Sequence, residues 1–124
     1  MKTKEVRPND WKKFCEQLNH NSRGALISIR ETSIDGDISR DIVEQLPLQS
    51  AALDDQSDAC NTLLVIEART EKSVRHVIVE PIHILLKDGE NDRFNHLEIH
   101  SESGRTIVLF NPGILPAVLD GAGK

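Results

Sequence analysis

Three alternating polar residues, His96, Glu98 and His100, form the set whose types and spacing best suit chemistry in this chain. On a β-strand, alternate side chains point to one face and lie about 6.5–7 Å apart along the chain. Two imidazoles so placed can bind one metal ion, and a carboxylate can add an oxygen ligand. We therefore name these three residues as candidate metal ligands. The simpler interpretation, which we favour, is the solvent-exposed face of a hairpin.

A second candidate pair is Glu67 and His76, which lie opposite each other on two neighbouring predicted strands. A carboxylate beside an imidazole raises the pKa of the histidine and can make a pH-sensitive contact. The simpler interpretation is an exposed ion pair that contributes about 0–1 kcal/mol.

Motifs of the common enzyme classes are absent from the sequence. It contains no G-x-G-x-x-G, no Walker A pattern and no G-x-S-x-G elbow. Cys15 falls on the apolar stripe of a predicted helix, which is typical of a core residue rather than a nucleophile. We therefore predict a protein that is not an enzyme and has no cofactor.

The distribution of charge argues against nucleic acid as a partner. The 124-residue chain has a net charge of −5, and residues 31–60 contain eight acidic residues against one arginine. Phosphate binding needs concentrated lysine and arginine, and stacking on bases needs aromatic residues, which are scarce here.

The same composition predicts one soluble domain spanning residues 1–124, with residues 1–7 and 120–124 disordered. There is no apolar run long enough to cross a membrane and no apolar signal sequence near Met1. We therefore expect a cytoplasmic protein without a membrane partner, in which Cys15 and Cys60 are reduced thiols.

One helix and about six strands are predicted from the pattern of apolar residues. The helix opens at Pro8-Asn9-Asp10, and its stripe has helical spacing: Trp11, Phe14, Cys15 and Leu18. Strands are predicted near residues 25–31, 39–47, 62–69, 74–80 (with 82–87 as an alternative continuation), 94–100 and 105–110. Pro47 is expected at a strand end or on an edge strand, and the acidic stretch 49–61 is expected to be a loop.

Two hairpin registers are predicted from turn chemistry and apolar pairing. A four-residue loop pairs Arg69 with Val74, which places apolar residues on both faces of this hairpin. In the last hairpin, a three-residue loop with Gly104 in the left-handed conformation pairs Ser101 with Arg105.

At this level of layout the chain resembles a small bacterial family of uncharacterised proteins, a domain of unknown function. The resemblance covers roughly residues 8–110 and depends on these features: Asp10-Trp11, Phe14, Gly24-Ala25-Leu26-Ile27, Leu46-Pro47-Leu48, Val79-Glu80-Pro81, Leu97-Glu98-Ile99 and Ser103-Gly104-Arg105-Thr106. It implies a single β-rich domain with an N-terminal aromatic helix, and it implies no activity.

We predict a mainly β (α+β) fold, with a single antiparallel sheet curled or closed as a small barrel and one N-terminal helix. Sequential strands are expected to pair as a meander, and an open sheet is the alternative. The most consistent function is a non-enzymatic interaction module that self-associates as a homodimer, because apolar residues lie on both hairpin faces and in the tail 114–119. The alternative is a β-barrel domain that binds a small ligand or a metal.

Overall fold

The computed structural model describes residues 3–56, 61–71, 73–88 and 94–114, which form one α-helix and eight strands. In chain order, the elements are β1 (Thr3–Val6), α1 (Trp11–Asn21), β2 (Leu26–Ser33), β3 (Ser39–Gln56), β4 (Asn61–Arg69), β5 (Ser73–Val79), β6 (Pro81–Asp88), β7 (Phe94–Ser101) and β8 (Gly104–Ile114). A 3₁₀ turn, Pro8–Asp10, leads into the helix. No helix in these ranges is long and apolar enough to span a membrane.

Helix α1 confirms the prediction made from its apolar stripe. The four predicted residues are all buried: Trp11, Phe14, Cys15 and Leu18. The Trp11 indole also donates a hydrogen bond to the carbonyl oxygen of Val6 at 2.8 Å, which ties the start of the helix to β1. Between the helix and β2, Gly24 has a φ of +91°, a left-handed conformation that glycine adopts readily.

Within the described residues, all eight strands belong to one antiparallel sheet, in the order β1-β6-β7-β8-β2-β3-β4-β5. The mainly β class with one N-terminal helix is therefore confirmed. The sheet curls around one core and brings β4 close to β6, but its edge strands β1 and β5 do not pair, so the barrel is not closed. The predicted simple meander is wrong, because two meanders, β2–β5 and β6–β8, join through the pairing of β2 with β8.

Strand β3 runs through Pro47, where the sequence predicted a strand end or an edge. Pro47 lies where β3 changes partner: it stands opposite Leu26 of β2, and pairing with β4 begins at Leu48. Leu48 supplies the N–H that binds the carbonyl oxygen of Ala25, at 2.8 Å. A bulge with a φ of +51° at Gln45 bends the strand just before this change of partner.

The acidic stretch 49–61 was predicted to be a loop, but β3 continues through it to Gln56. Ala51 is buried in this part of β3, and the side chain of Asn19 on α1 binds its backbone. Asn19 Nδ2 donates to the Ala51 carbonyl at 2.8 Å, and Asn19 Oδ1 accepts from the Ala51 N–H at 2.7 Å. The helix therefore takes the place of a neighbouring strand where β2 has ended, and this pairing keeps the segment extended.

Both hairpin registers differ from the sequence-based prediction by one residue. Arg69 pairs with Ser73 rather than with Val74, and Ser101 pairs with Gly104 rather than with Arg105. A slip of one residue turns the side chains of one strand to the opposite face of the sheet. In β8 it places three side chains in the core that were expected on the outer face: Thr106, Val108 and Phe110.

Gly104 fixes the register of the second hairpin. Its φ of +145° is one that side chains rarely adopt, and an added Cβ would overlap the carbonyl oxygen of Thr32 on the neighbouring strand β2. Gly104 therefore lies in the ladder, opposite Ser33 of β2 and Ser101 of β7, rather than within a longer loop.

The N-terminal residues also correct a prediction. Residues 1–7 were expected to be disordered, but Thr3–Val6 pairs with β6 as an edge strand, and the side chain of Val6 is buried. The predicted disorder of residues 120–124 concerns residues outside the described ranges.

Candidate functional site

The three candidate residues lie together on the outer face of β7, the face turned away from the core. The two residues between them, Leu97 and Ile99, are buried in the core, so the alternation predicted from the sequence is confirmed. Neighbouring strands add basic side chains to the same face. Strand β6 places Lys87 opposite His96, and β8 places Arg105 opposite His100.

Glu98 is the centre of this group and is buried, with 4% of its surface exposed. Its Oε1 lies 2.7 Å from Nε2 of His100 and 3.7 Å from Nη1 of Arg105. Its Oε2 lies 3.0 Å from Nζ of Lys87 and 3.4 Å from Nε2 of His96. We call these five side chains the Glu98 cluster.

The cluster keeps the Glu98 carboxyl group ionised. Burial alone would raise its pKa, because a carboxylate loses hydration when it leaves water. The hydrogen bonds from His100 and Lys87 and the charges on these groups outweigh that effect and lower the pKa of Glu98 from 4.5 to about 2. Even with neutral imidazoles, the two positive charges of Lys87 and Arg105 against one carboxylate leave a net charge of +1.

The polar network extends from the cluster to the edge of the sheet. The rings of His100 and His83 meet edge to face, with centroids 6.1 Å apart. Nδ1 of His83 in turn lies 2.8 Å from Oε2 of Glu5 on β1. Side chains of four neighbouring strands therefore form one connected polar layer.

The geometry of the cluster favours ion pairing over metal coordination. His96 approaches one oxygen of Glu98 and His100 approaches the other, so the rings do not converge on a common point. In the part of the chain that the structure describes, no group of three or more His, Cys, Asp or Glu side chains is arranged to hold a metal ion. Metal binding at His96, Glu98 and His100 stays a prediction.

A cleft of about 420 Å³ adjoins the cluster on the same outer face. We call it the outer cleft, and six of its lining residues matter here: Arg30, Asp41, Glu44, His96, Ile107 and Leu109. Nε of Arg30 donates to Oδ1 of Asp41 at 2.8 Å along one wall. His96 belongs to both the cleft and the Glu98 cluster, so it connects the two.

The second candidate pair from the sequence does not form. Glu67 lies opposite Arg75 and accepts a hydrogen bond from Ser50 at 3.1 Å. His76 instead points into the protein, where it is 8% exposed, and its Nε2 has no hydrogen-bond partner and lies 3.8 Å from Oε2 of Glu31. The pKa of His76 is lowered rather than raised, because burial outweighs the attraction of Glu31.

Sequence reasoning missed Lys87 and Arg105, although both carried a signal. Residues 82–87 and 94–100 are predicted strands on either side of a polar loop, and pairing them as a hairpin places Lys87 beside His96. The predicted loop is one residue longer than the observed turn, so the prediction places Arg105 opposite Ser101 instead of opposite His100. The strand-pairing rule applied to both hairpins would have found the cluster once Gly104 was recognised as a ladder residue.

Cys15 is a free cysteine in the core, as its position on the helical stripe predicted. Burial, followed by the nearby charge of Glu16, raises the pKa of its thiol to about 12. A thiol with this pKa is protonated at neutral pH, and the thiolate is the nucleophilic form. Cys15 is therefore a packing residue, and Cys60 lies outside the described ranges.

Comparison with known proteins identifies the family of the chain but no individual relative. No curated protein and no solved structure matches it. A family model does match residues 2–117, nearly the whole chain, and it describes a family of unknown function (DUF5335). The resemblance found in the sequence is thereby confirmed for the family, while a bacterial origin stays a prediction. The chain belongs to this family of unknown function, DUF5335.

Proposed function

We propose that this protein is a non-enzymatic interaction module of the bacterial cytoplasm that forms a homodimer through its edge strand β5. The observation that supports this proposal is the exposed apolar surface at that edge. Val77 and Val79 on β5 are 39% and 55% exposed. An edge strand with exposed apolar side chains is a template for pairing with another chain.

The turn between β2 and β3 extends this surface. Ile34 and Ile38 are 76% and 65% exposed there. Ile38 also lines a groove of about 310 Å³, together with Val77 and Val79 of β5. Three of the exposed apolar residues, Ile38, Val77 and Val79, therefore border one groove rather than standing as isolated side chains.

A second copy of the chain is the occupant that fits this edge. Two β5 strands related by a twofold axis pair in antiparallel orientation, so Val77 and Val79 of the two copies cover each other. The charges at the two ends of the patch are opposite, with Arg75 on one side and Glu80 on the other. Antiparallel pairing brings Arg75 of each copy towards Glu80 of the other, which favours this orientation.

The test is the solution mass of the full chain by light scattering, from about 1 to about 100 µM. We expect a dimer that Val79→Glu converts to a monomer, because a buried charge at the new interface has no partner. Leu109→Glu is the matched control: Leu109 is 48% exposed and lies on the outer cleft, away from β5. We expect this variant to stay dimeric.

The opposite results would end the proposal. A monomer over this whole concentration range contradicts self-association, and a dimer that survives Val79→Glu contradicts the choice of β5. A chain stopped at Ile114, the last described residue, measures the contribution of residues 115–124 while keeping the buried Ile114 in the core.

A further inference from the structure

We propose that the outer cleft binds a small organic anion with an apolar body, such as a medium-chain carboxylate. This site is separate from the proposed dimer surface, because the outer cleft and the groove beside β5 share no lining residue. The inference therefore does not depend on self-association.

The size and floor of the cleft suit the apolar part of such a ligand. Its volume of about 420 Å³ falls in the range of small-molecule sites, which are concave and largely apolar with a few polar groups. Ile107 and Leu109 lie on this surface, and Leu109 leaves 48% of its own surface exposed. A hydrocarbon chain placed over these two residues would cover apolar surface that is otherwise in water.

The anionic end of the ligand is assigned to the His96 end of the cleft. Nε2 of His96 is buried 3.4 Å from Oε2 of Glu98 and has no hydrogen-bond partner, and the His96 side chain lines this end of the cleft. Lys87, opposite His96 on β6, adds a permanent positive charge within the cluster's net charge of +1.

The acidic residues of the cleft limit which anion fits. The carboxylate of Asp41 is already bound by Arg30 at 2.8 Å, so these two charges offset each other. Glu44 is exposed and has no ion-pair partner among the described residues. The carboxylate of Glu44 would repel a dianion or a ligand with an acidic group at each end. A monocarboxylate with an uncharged tail is therefore the best match.

The experiment is a titration of the full chain with octanoate, followed by two-dimensional ¹H–¹⁵N NMR. We expect saturable shifts at the amides around Ile107, Leu109 and His96, with a dissociation constant of about 1 mM, as for a ligand of this size. Octylamine has the same tail and the opposite charge, and we expect it to bind at least about fivefold more weakly. Equal or tighter binding of octylamine would overturn the assignment of the anionic end.

Three variants locate the site. Leu109→Ser removes apolar surface and His96→Gln removes the ring, and we expect each to weaken octanoate binding about fivefold or more. Val79→Ser is the matched control, because it removes an exposed apolar side chain from β5 and not from the cleft, and it should change binding less than about twofold. The NMR spectrum and thermal midpoint of each variant show that the fold is kept.

Three results would contradict the inference: no saturable shift, shifts that map to β5, or Leu109→Ser and His96→Gln variants that bind like the parent. Solution mass measured at saturating octanoate separates this site from self-association. A variant that loses octanoate binding but keeps its solution mass is altered in the cleft alone. A variant that changes its solution mass but still binds octanoate is altered at the β5 interface alone.

Discussion

Glu98 on β7 and His76 on β5 are both buried ionisable residues, yet the first is charged at neutral pH and the second is neutral. Glu98 is 4% exposed and has four basic side chains within 3.7 Å of its carboxylate. His76 is 8% exposed, and its nearest ion-pair partner, Glu31, lies 3.8 Å away without a hydrogen bond. The side chains have similar exposure, so the number and distance of the partners decide whether the effect of burial on the pKa is outweighed, as at Glu98, or prevails, as at His76.

Glu98 and His76 also differ in how many strands of the sheet their contacts link. The partners of Glu98 come from β6, β7 and β8, so its ionised form links three strands. The groups that face His76 are Glu31 on β2, Arg40 on β3 and the apolar Ile66, which lies opposite His76 on β4. The carboxylate of Glu31 is already paired with Arg40, at 2.9 Å. His76 therefore fills space in the core and links little.

The largest effect expected from this comparison is the loss of stability in acid caused by Glu98. Its folded-state pKa of about 2 lies below its ordinary value of 4.5, so the unfolded chain binds the proton more tightly. The stabilisation is fully present above pH 4.5 and is lost as the pH falls from there towards about 2. We expect a loss on the order of 3 kcal/mol in the free energy of unfolding, measured by urea denaturation across this range.

The Glu98→Gln variant should show a much flatter pH profile in that range. The exposed Glu102 on the β7–β8 turn provides a matched control, and Glu102→Gln should keep the slope of the parent protein. Equal slopes for the parent and Glu98→Gln would show that other carboxylates cause the acid sensitivity.

A smaller effect of the opposite sign is expected for His76→Leu. Removing the unpaired Nε2 and filling the site with an apolar side chain should raise the free energy of unfolding by about 1 kcal/mol at pH 7. Because burial lowers the folded-state pKa of His76, the parent should also lose stability as the pH falls below 6.5, and the variant should lose less. A His76→Leu protein less stable than its parent would mean that the imidazole makes a stabilising contact.

A still smaller difference should separate the outer partners of Glu98. Nζ of Lys87 lies 3.0 Å from the carboxylate and Nη1 of Arg105 lies 3.7 Å away with 46% of its side chain exposed. We expect Lys87→Met to cost about 1 kcal/mol and Arg105→Met about half as much, since exposed and longer ion pairs contribute less. Urea denaturation in about 0.05 and 1 M salt should show the Lys87 effect to be the less screened of the two.

The smallest effect is expected for zinc. If the imidazoles of His96 and His100 serve Glu98 as ion-pair partners, Zn²⁺ should shift the thermal midpoint by less than about 1 °C. A saturable stabilisation that disappears in both His96→Ala and His100→Ala would instead establish the three predicted residues as metal ligands.

Local patterns in the sequence predict local structure well in this protein. The helical spacing of Trp11, Phe14 and Leu18 fixes a buried face, because helical geometry depends on a few neighbouring residues. The alternation of His96, Glu98 and His100 likewise places them on one face of β7. Both predictions are confirmed because they need no knowledge of the rest of the chain.

Predictions that depend on distant neighbours fail. The role of Gly104 follows from the carbonyl oxygen of Thr32, more than seventy residues earlier in the chain, and no hairpin rule includes that contact. The continuation of β3 beyond Pro47 depends on β4 and on Asn19 of the helix, and the strand at Thr3–Val6 depends on β6. Burial of Glu98 depends on Lys87 and Arg105, which come from two other strands.

The side-chain amide of Asn19 also protects the folded protein from aggregation. Through its two hydrogen bonds to Ala51, this side chain occupies backbone groups of β3 that would otherwise be open to another extended chain. When α1 detaches, even briefly, the small and apolar residues around Ala51 become a template for intermolecular strand addition. We therefore expect local opening of this short helix, rather than global unfolding, to limit the shelf life of the protein in concentrated solution.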